Sequence, residues 1–173
     1  MKKLIALCAA AALMLSLLSA CSKGSEPSGP PAGELNLAGV AQEIQANHEF
    51  HSLERVDPED PEMGELFQNT LDNFYPGLTD LKLKQMEIYM PMISFSGGEL
   101  ALVDAIDADG AAKVKEIFQA RVDSKSTEGP GNYPEEVEMW QRSARVAVRG
   151  QYVMLVCHED CDAIVDEFNA LFS

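Results

Sequence analysis

The sequence predicts an α+β domain: an antiparallel sheet of about four strands in two hairpins, with helices packed mainly on one face. Three observations carry this. Five stretches place apolar residues at helical spacing, each with one stripe to bury. Two pairs of short, β-rich apolar runs are each joined by a glycine-containing turn. The resulting order, α, α, β, β, α, α, β, β, α, is that of helices laid on an antiparallel sheet. Length and composition agree, because 173 residues with 46% hydrophobic and 24% charged side chains suit one globular domain of roughly 150 residues. They exclude a collagen-like, mostly disordered or multi-domain chain.

Taken in order, Leu37, Val40, Ala41 and Ile44 follow Asn36, a good N-cap, and predict a helix over 37–49. Two prolines and five carboxylates between Asp57 and Glu65 make a loop. Met63, Leu66, Phe67, Thr70, Leu71 and Phe74 then predict a second helix, stopped by Tyr75-Pro76-Gly77. The run from Met86 to Phe95 reads as a strand; Pro91 cannot donate to a ladder, so the strand is expected at an edge or with a bulge. Ser96-Gly97-Gly98 turns the chain into a strand from Leu100 to Ile106. Asp109 is expected to cap a helix that buries Val114, Ile117, Phe118 and Val122 and runs to about Lys125.

Tyr133-Pro134-Glu135-Glu136 has the proline and the early acids of a helix start, with Val137 and Trp140 facing the core. Val146 and Val148 alternate with Arg145 and Arg149 as in a half-buried strand, and Gly150-Gln151 suits a type II′ turn into Tyr152–Cys157. That last strand is apolar on both parities, so it should be central or covered twice. Cys161, Ile164, Val165, Phe168, Leu171 and Phe172 after Asp160 form the cleanest amphipathic pattern in the chain.

Ahead of this domain, which is expected over 35–173, lies an address. Lys2 and Lys3 precede an apolar run from Leu4 to Leu18, too short for a bilayer span of roughly 20 residues but right for a secretory h-region. Leu18-Ser19-Ala20-Cys21 resembles the bacterial lipobox, which implies removal of residues 1–20 and lipidation of Cys21. Dual acylation anchors stably where one chain is marginal. Residues 21–34, rich in Ser, Gly and Pro, read as a flexible tether with a reach on the order of 20 Å. The expected location is the extracytoplasmic face of a cell membrane, held by the N-terminal lipid.

With 28 acidic against 13 basic side chains the formal charge is −15, and loss of Lys2 and Lys3 makes it more negative. Such a surface repels phosphate backbones and anionic headgroups, so no nucleic-acid partner is expected. An envelope protein or a peptide is.

Several stretches together resemble small lipoproteins of Gram-positive bacteria catalogued as a domain of unknown function. The landmarks are Tyr75 before a short loop, residues 86–107 with Glu99 opening a strand, Tyr133-Pro134-Glu135-Glu136, and Gly150 through Val156. The resemblance spans roughly residues 63–170. It implies the lipid address and an α+β fold, and it supplies no catalytic residue.

Among chemically capable residues, Cys157-His158-Glu159-Asp160-Cys161 stands where a strand passes into a helix N-terminus, a setting that lowers a thiol's pKa. Cys157, His158 and Cys161 are therefore candidates for a redox or metal site; a local disulfide and inert packing are the competing readings. His48 and His51 sit three apart near a helix end, where they suit the dipole better than a metal. Asp107, Asp109, Gly110 and Glu116 match part of an EF-hand loop, but Ala105 and Lys113 occupy two ligand positions. Glu99 beside two glycines is a candidate functional carboxylate. No phosphate-binding loop, G-x-S-x-G or H-E-x-x-H pattern occurs, and no cofactor or catalytic residue is implied. The expectation is a non-catalytic binding or interaction module, with a thiol redox or metal-binding protein as the alternative.

Overall fold

The computed structural model describes residues 34–91 and 98–173. The predicted signal, the lipidation site Cys21, all but the last residue of the tether, and the expected Ser96-Gly97 turn lie outside them. The described chain runs α1 (Leu37–Asn47), β1 (Leu53–Arg55), α2 (Gly64–Phe74), β2 (Leu83–Pro91), β3 (Glu99–Ala105), α3 (Ala108–Lys125), α4 (Pro134–Ser143), β4 (Ala144–Arg149), β5 (Tyr152–Cys157) and α5 (Cys161–Ala170). The fold is α+β. All strand pairs are antiparallel, in the order β1-β2-β3-β5-β4.

The sheet thus has five strands rather than about four. The addition, β1, is only three residues long and follows Ser52, a non-glycine at φ 48°. A segment so short shows no periodicity. It is held by pairing with the end of β2 and by a forked bond from Arg55 to Glu87, with Nε to Oε2 at 2.8 Å and Nη2 to Oε1 at 3.2 Å. Because β1 covers β2, Pro91 does not lie on an edge strand. It is the last described residue of β2, opposite Leu53, and the register shift of β2 falls between Leu83 and Gln85; residues 92–95 of the expected strand lie outside the described residues.

Helices cover both faces of the sheet, not mainly one. Alternation along the central strands explains this. Ala101, Val103, Ala105, Val153, Leu155 and Cys157 point to one face and pack with Phe67 and Leu71 of α2, Val114 and Phe118 of α3, and Trp140 of α4. Leu100, Leu102, Tyr152, Met154 and Val156 point to the other, against Leu37, Ala41 and Ile44 of α1 and Cys161, Ile164 and Phe168 of α5. Strands β3 and β5 are buried at every position, so one helical layer would leave half their apolar side chains in water.

Local chemistry sets the element ends. Asn36 caps α1 by accepting from the Gly39 N–H. The cap of α3 is Asp107 rather than Asp109, its Oδ1 accepting from the Gly110 N–H at 2.8 Å. That bond commits the acids of the EF-hand-like stretch to a continuous helix. Gly150 takes φ 59° in the two-residue β4–β5 turn, the conformation that a type II′ turn requires at its first central residue.

Gly64 opens α2 against the preceding loop, and a Cβ added there would stand 2.5 Å from the Pro58 carbonyl oxygen. Gly64→Ala is therefore expected to lower stability by about 1–3 kcal/mol through backbone displacement, read as a shift in the urea midpoint.

Candidate functional site

The first residue of β3 is a glutamate on the face covered by α2, α3 and α4. Glu99 is 1% exposed, and burial of a carboxylate is tolerable only where its oxygens are satisfied. Two elements converge to do this. Tyr75 follows α2, its N–H closing the last turn onto Leu71, and its hydroxyl donates to Glu99 Oε1. Arg121 extends the buried stripe of α3 one step beyond Ala111, Val114 and Phe118. Its Nη2 donates to Glu99 Oε2 at 2.8 Å and its Nε to Oε1 at 3.2 Å.

The guanidinium is stacked among rings, with its central carbon 4.5 Å from the Phe74 centroid, 5.4 Å from Trp140 and 5.8 Å from Tyr75. Burial pulls the Arg121 pKa down, but the charge and hydrogen bonds of Glu99 more than offset this, so it stands above its ordinary value. Burial, reinforced by the charge of Glu99, pushes the Tyr75 phenol well above its usual range. The trio is a buried fixed-charge unit.

Above it opens a cleft of about 460 Å³, whose walls include Phe74, Pro76, Met90, Arg121, Glu136 and Trp140. A second ion pair, Lys125 with Glu136 Oε1, joins the end of α3 to the first turn of α4. The other carboxylate oxygen, Glu136 Oε2, is buried with no hydrogen-bond partner. The lining therefore combines aromatic surface with two compensated ion pairs, one of whose carboxylates holds a buried oxygen without a hydrogen-bond partner.

Of the residues singled out in the sequence, Glu99 lies at the centre of this site. Cys157 is its cross-strand partner on β5 and shares its face. Cys161 packs among α1 and α5 on the opposite face, and both thiols are free and buried. The sheet separates the two side chains. Burial and the charge of Glu99 push the Cys157 thiol far up, and burial raises Cys161 as well, so the shifts run opposite to the lowering expected from the helix N-terminus. Desolvation outweighs the dipole here.

His158 turns away from both thiols, Nε2 lying 3.2 Å from the Glu49 carbonyl and Nδ1 3.0 Å from the Asp160 N–H. His48 faces α5, and His51 is exposed. Sequence reasoning passed over Arg121, Lys125, Glu136 and the chemistry of Tyr75. The available signal was an arginine in phase with the apolar stripe of α3, which marks a buried cation needing a buried anion.

Residues 57–158 match a family described as a domain of unknown function (DUF4358). No curated protein and no solved structure matches the chain.

Arg121→Met strands Glu99 as an uncompensated buried charge and is expected to cost about 3–5 kcal/mol, while the double variant Glu99→Met/Arg121→Met recovers most of the loss. Urea unfolding of the two single variants and the double variant measures the coupling. Tyr75 also sets an alkaline limit. Its folded pKa lies above the unfolded value near 10, so its contribution is complete below pH 10. Above that, the unfolded chain releases the proton first and stability falls. Unfolding midpoints between pH 9 and 11 should fall less steeply in Tyr75→Phe than in the parent chain.

Proposed function

The chain belongs to that family of unknown function, and from this premise we propose that it is a lipid-anchored, extracytoplasmic, non-catalytic binding module that holds a small ligand in the cleft over Arg121. The observation that carries the reading is the cleft itself. Its volume of about 460 Å³ lies within the usual range for small-molecule sites, roughly 300–1,000 Å³, and polar groups, among them Arg121, Lys125 and Glu136, converge on a wall that also carries Phe74 and Trp140.

Its chemistry favours recognition over turnover. Both oxygens of Glu99 are occupied by Arg121 and Tyr75, and the phenol is held in its protonated form. These are groups that position, and the Cys157 thiol beside Glu99 is buried and held protonated by that burial and by the charge of Glu99. Arg121 and Lys125 balance Glu99 and Glu136, so the lining has no net charge and suits a neutral or zwitterionic ligand. Glu136 on the cleft wall holds one oxygen without a hydrogen-bond partner, which an N–H of that ligand reaches by a turn of the buried carboxyl group, and Phe74 and Trp140 offer ring faces to its apolar part. A small amine or amide compound fits this description, as does the end of a peptide from an envelope protein.

Support for the anchor comes from residues 2–21: two lysines, the short apolar run and Leu18-Ser19-Ala20-Cys21. No helix among the described residues is long and apolar enough to cross a membrane. The acidic surface keeps the domain off anionic headgroups, leaving the lipid as the point of attachment.

Native mass spectrometry of the full chain extracted from bacterial membranes tests both parts. The expected species carries a diacylglyceryl group on Cys21 and a non-covalent small molecule. Ala120→Trp, which fills the cleft from an exposed position of α3, should abolish the second mass and keep the first. An unmodified Cys21 in free polypeptide overturns the anchor, and identical ligand-free masses for parent and variant overturn the cleft.

A further inference from the structure

On the opposite face of the sheet from the cleft, the end of α1 meets the start of α5 in a cluster of histidines and carboxylates. His48, the C-cap of α1, directs Nδ1 to Asp160 Oδ2 and Nε2 to Glu167 Oε2, each at 3.2 Å. The His158 ring stands edge-on to it, with centroids 6.0 Å apart and Phe50 packed against His158 at 4.4 Å. One donor atom each from His48, His158 and Asp160 fall within 4.8 Å of one another.

We propose that this cluster is a divalent transition-metal site, with His48 Nδ1, His158 Nδ1 and a carboxylate oxygen of Asp160 as its protein ligands. The donor set of two imidazoles and one carboxylate is suited to zinc and leaves a coordination position for water. Bonds of about 2.0–2.1 Å in a tetrahedron separate ligand atoms by roughly 3.3 Å. The His48–Asp160 separation of 3.2 Å already meets this requirement, and His158 closes the remainder by a small ring movement.

The second layer of contacts argues more strongly than the donor types. A metal-bound histidine is ordinarily oriented through its other ring nitrogen by a carboxylate or a backbone carbonyl. Both arrangements are present, since Glu167 receives His48 Nε2 and the Glu49 carbonyl receives His158 Nε2. That carbonyl fixes His158 with its proton on Nε2 and its Nδ1 lone pair turned into the cluster, where the Asp160 N–H now donates to it.

On binding, the ion takes the place of the contact between His48 Nδ1 and Asp160, and any proton on Nδ1 passes to water. The Asp160 N–H gives up its ring acceptor to the ion, which tempers the affinity. Asp160 is 55% exposed at its side chain against 12% for His48, so the carboxylate forms the mouth through which an ion arrives.

Zinc chloride titrated into the full-length chain in detergent tests the site. The chain has three histidines, so ¹⁵N-edited spectra of the imidazoles resolve the result. One equivalent of zinc should shift His48 and His158 and leave the exposed His51 unmoved. Competition with a chromogenic chelator should show affinity reduced at least about tenfold in His158→Gln and in Asp160→Asn, and about tenfold or more in Glu167→Gln. Asp160 makes no side-chain capping bond to α5, so Asp160→Asn is expected to retain the parent's circular dichroism. The proposal is overturned by zinc that leaves all three rings unshifted. It is equally overturned by stoichiometric binding that survives these substitutions but is lost in Cys157→Ser/Cys161→Ser.

Discussion

A carboxylate buried at the start of a central strand must be neutralised by its neighbours, and much of the surrounding structure follows from that requirement. Glu99 is nearly inaccessible, and an isolated ion there would be costly enough to prevent folding. Three bonds from two elements offset this: two from Arg121 on α3 and one from Tyr75 after α2. The pairing fixes the rotation of α3 about its axis and the point at which α2 must stop. It also draws Phe74 and Trp140 onto the guanidinium. A pair of apolar side chains of similar volume could stabilise the core as well, but it would leave no polar floor for a cleft.

The second constraint is the period of the strands. Alternation puts Cys157 in the layer under α2, α3 and α4, and the chain then crosses the end of the sheet into α5, so Cys161 falls into the other apolar layer although it is four residues away in sequence. The same alternation gives β5 its double burial and demands a helical cover on each side. Two thiols that read as one reactive stretch thus become parts of two different cores. His158, at the crossing, takes its partners from Glu49, just after α1, and from Asp160 at the start of α5 instead.

Much of the fold is legible in the sequence, since the five helices and the four longer strands carry strong periodicity or turn chemistry. Asn36, Pro134 and Gly150 mark their positions by mechanisms that act within a few residues. What escaped was non-local. Strand β1 has no pattern of its own and depends on Arg55 reaching Glu87, 32 positions away. Asp107 and Asp109 are equally good caps on paper, and the choice between them is made where β3 releases the chain at Ala105. For the site, Glu99 was visible as a carboxylate beside glycines, but Arg121 was hidden because a stripe of Val and Phe is read for its apolar members. His48 and Asp160 are 112 residues apart, beyond any motif.

The two sites share one end of the molecule, and the chain arrives at the other. Leu35 and Leu37, just inside the described N-terminus, bond to Tyr152 and Gln85. Tyr152 pairs with Asp104, whereas Glu99 pairs with Cys157. Five residue steps along β3 separate these pairs, a distance of roughly 17 Å at about 3.4 Å per step. Helix α1 spans the same interval on the other face, from Leu37 beside Gln85 to His48 beside Asp160. A lipid at Cys21, as proposed, would attach to the end of the sheet farther from both sites. With a tether whose reach is on the order of 20 Å, a ligand could reach the cleft and the histidine cluster, each on its own side of the sheet, without displacing the domain from its anchor.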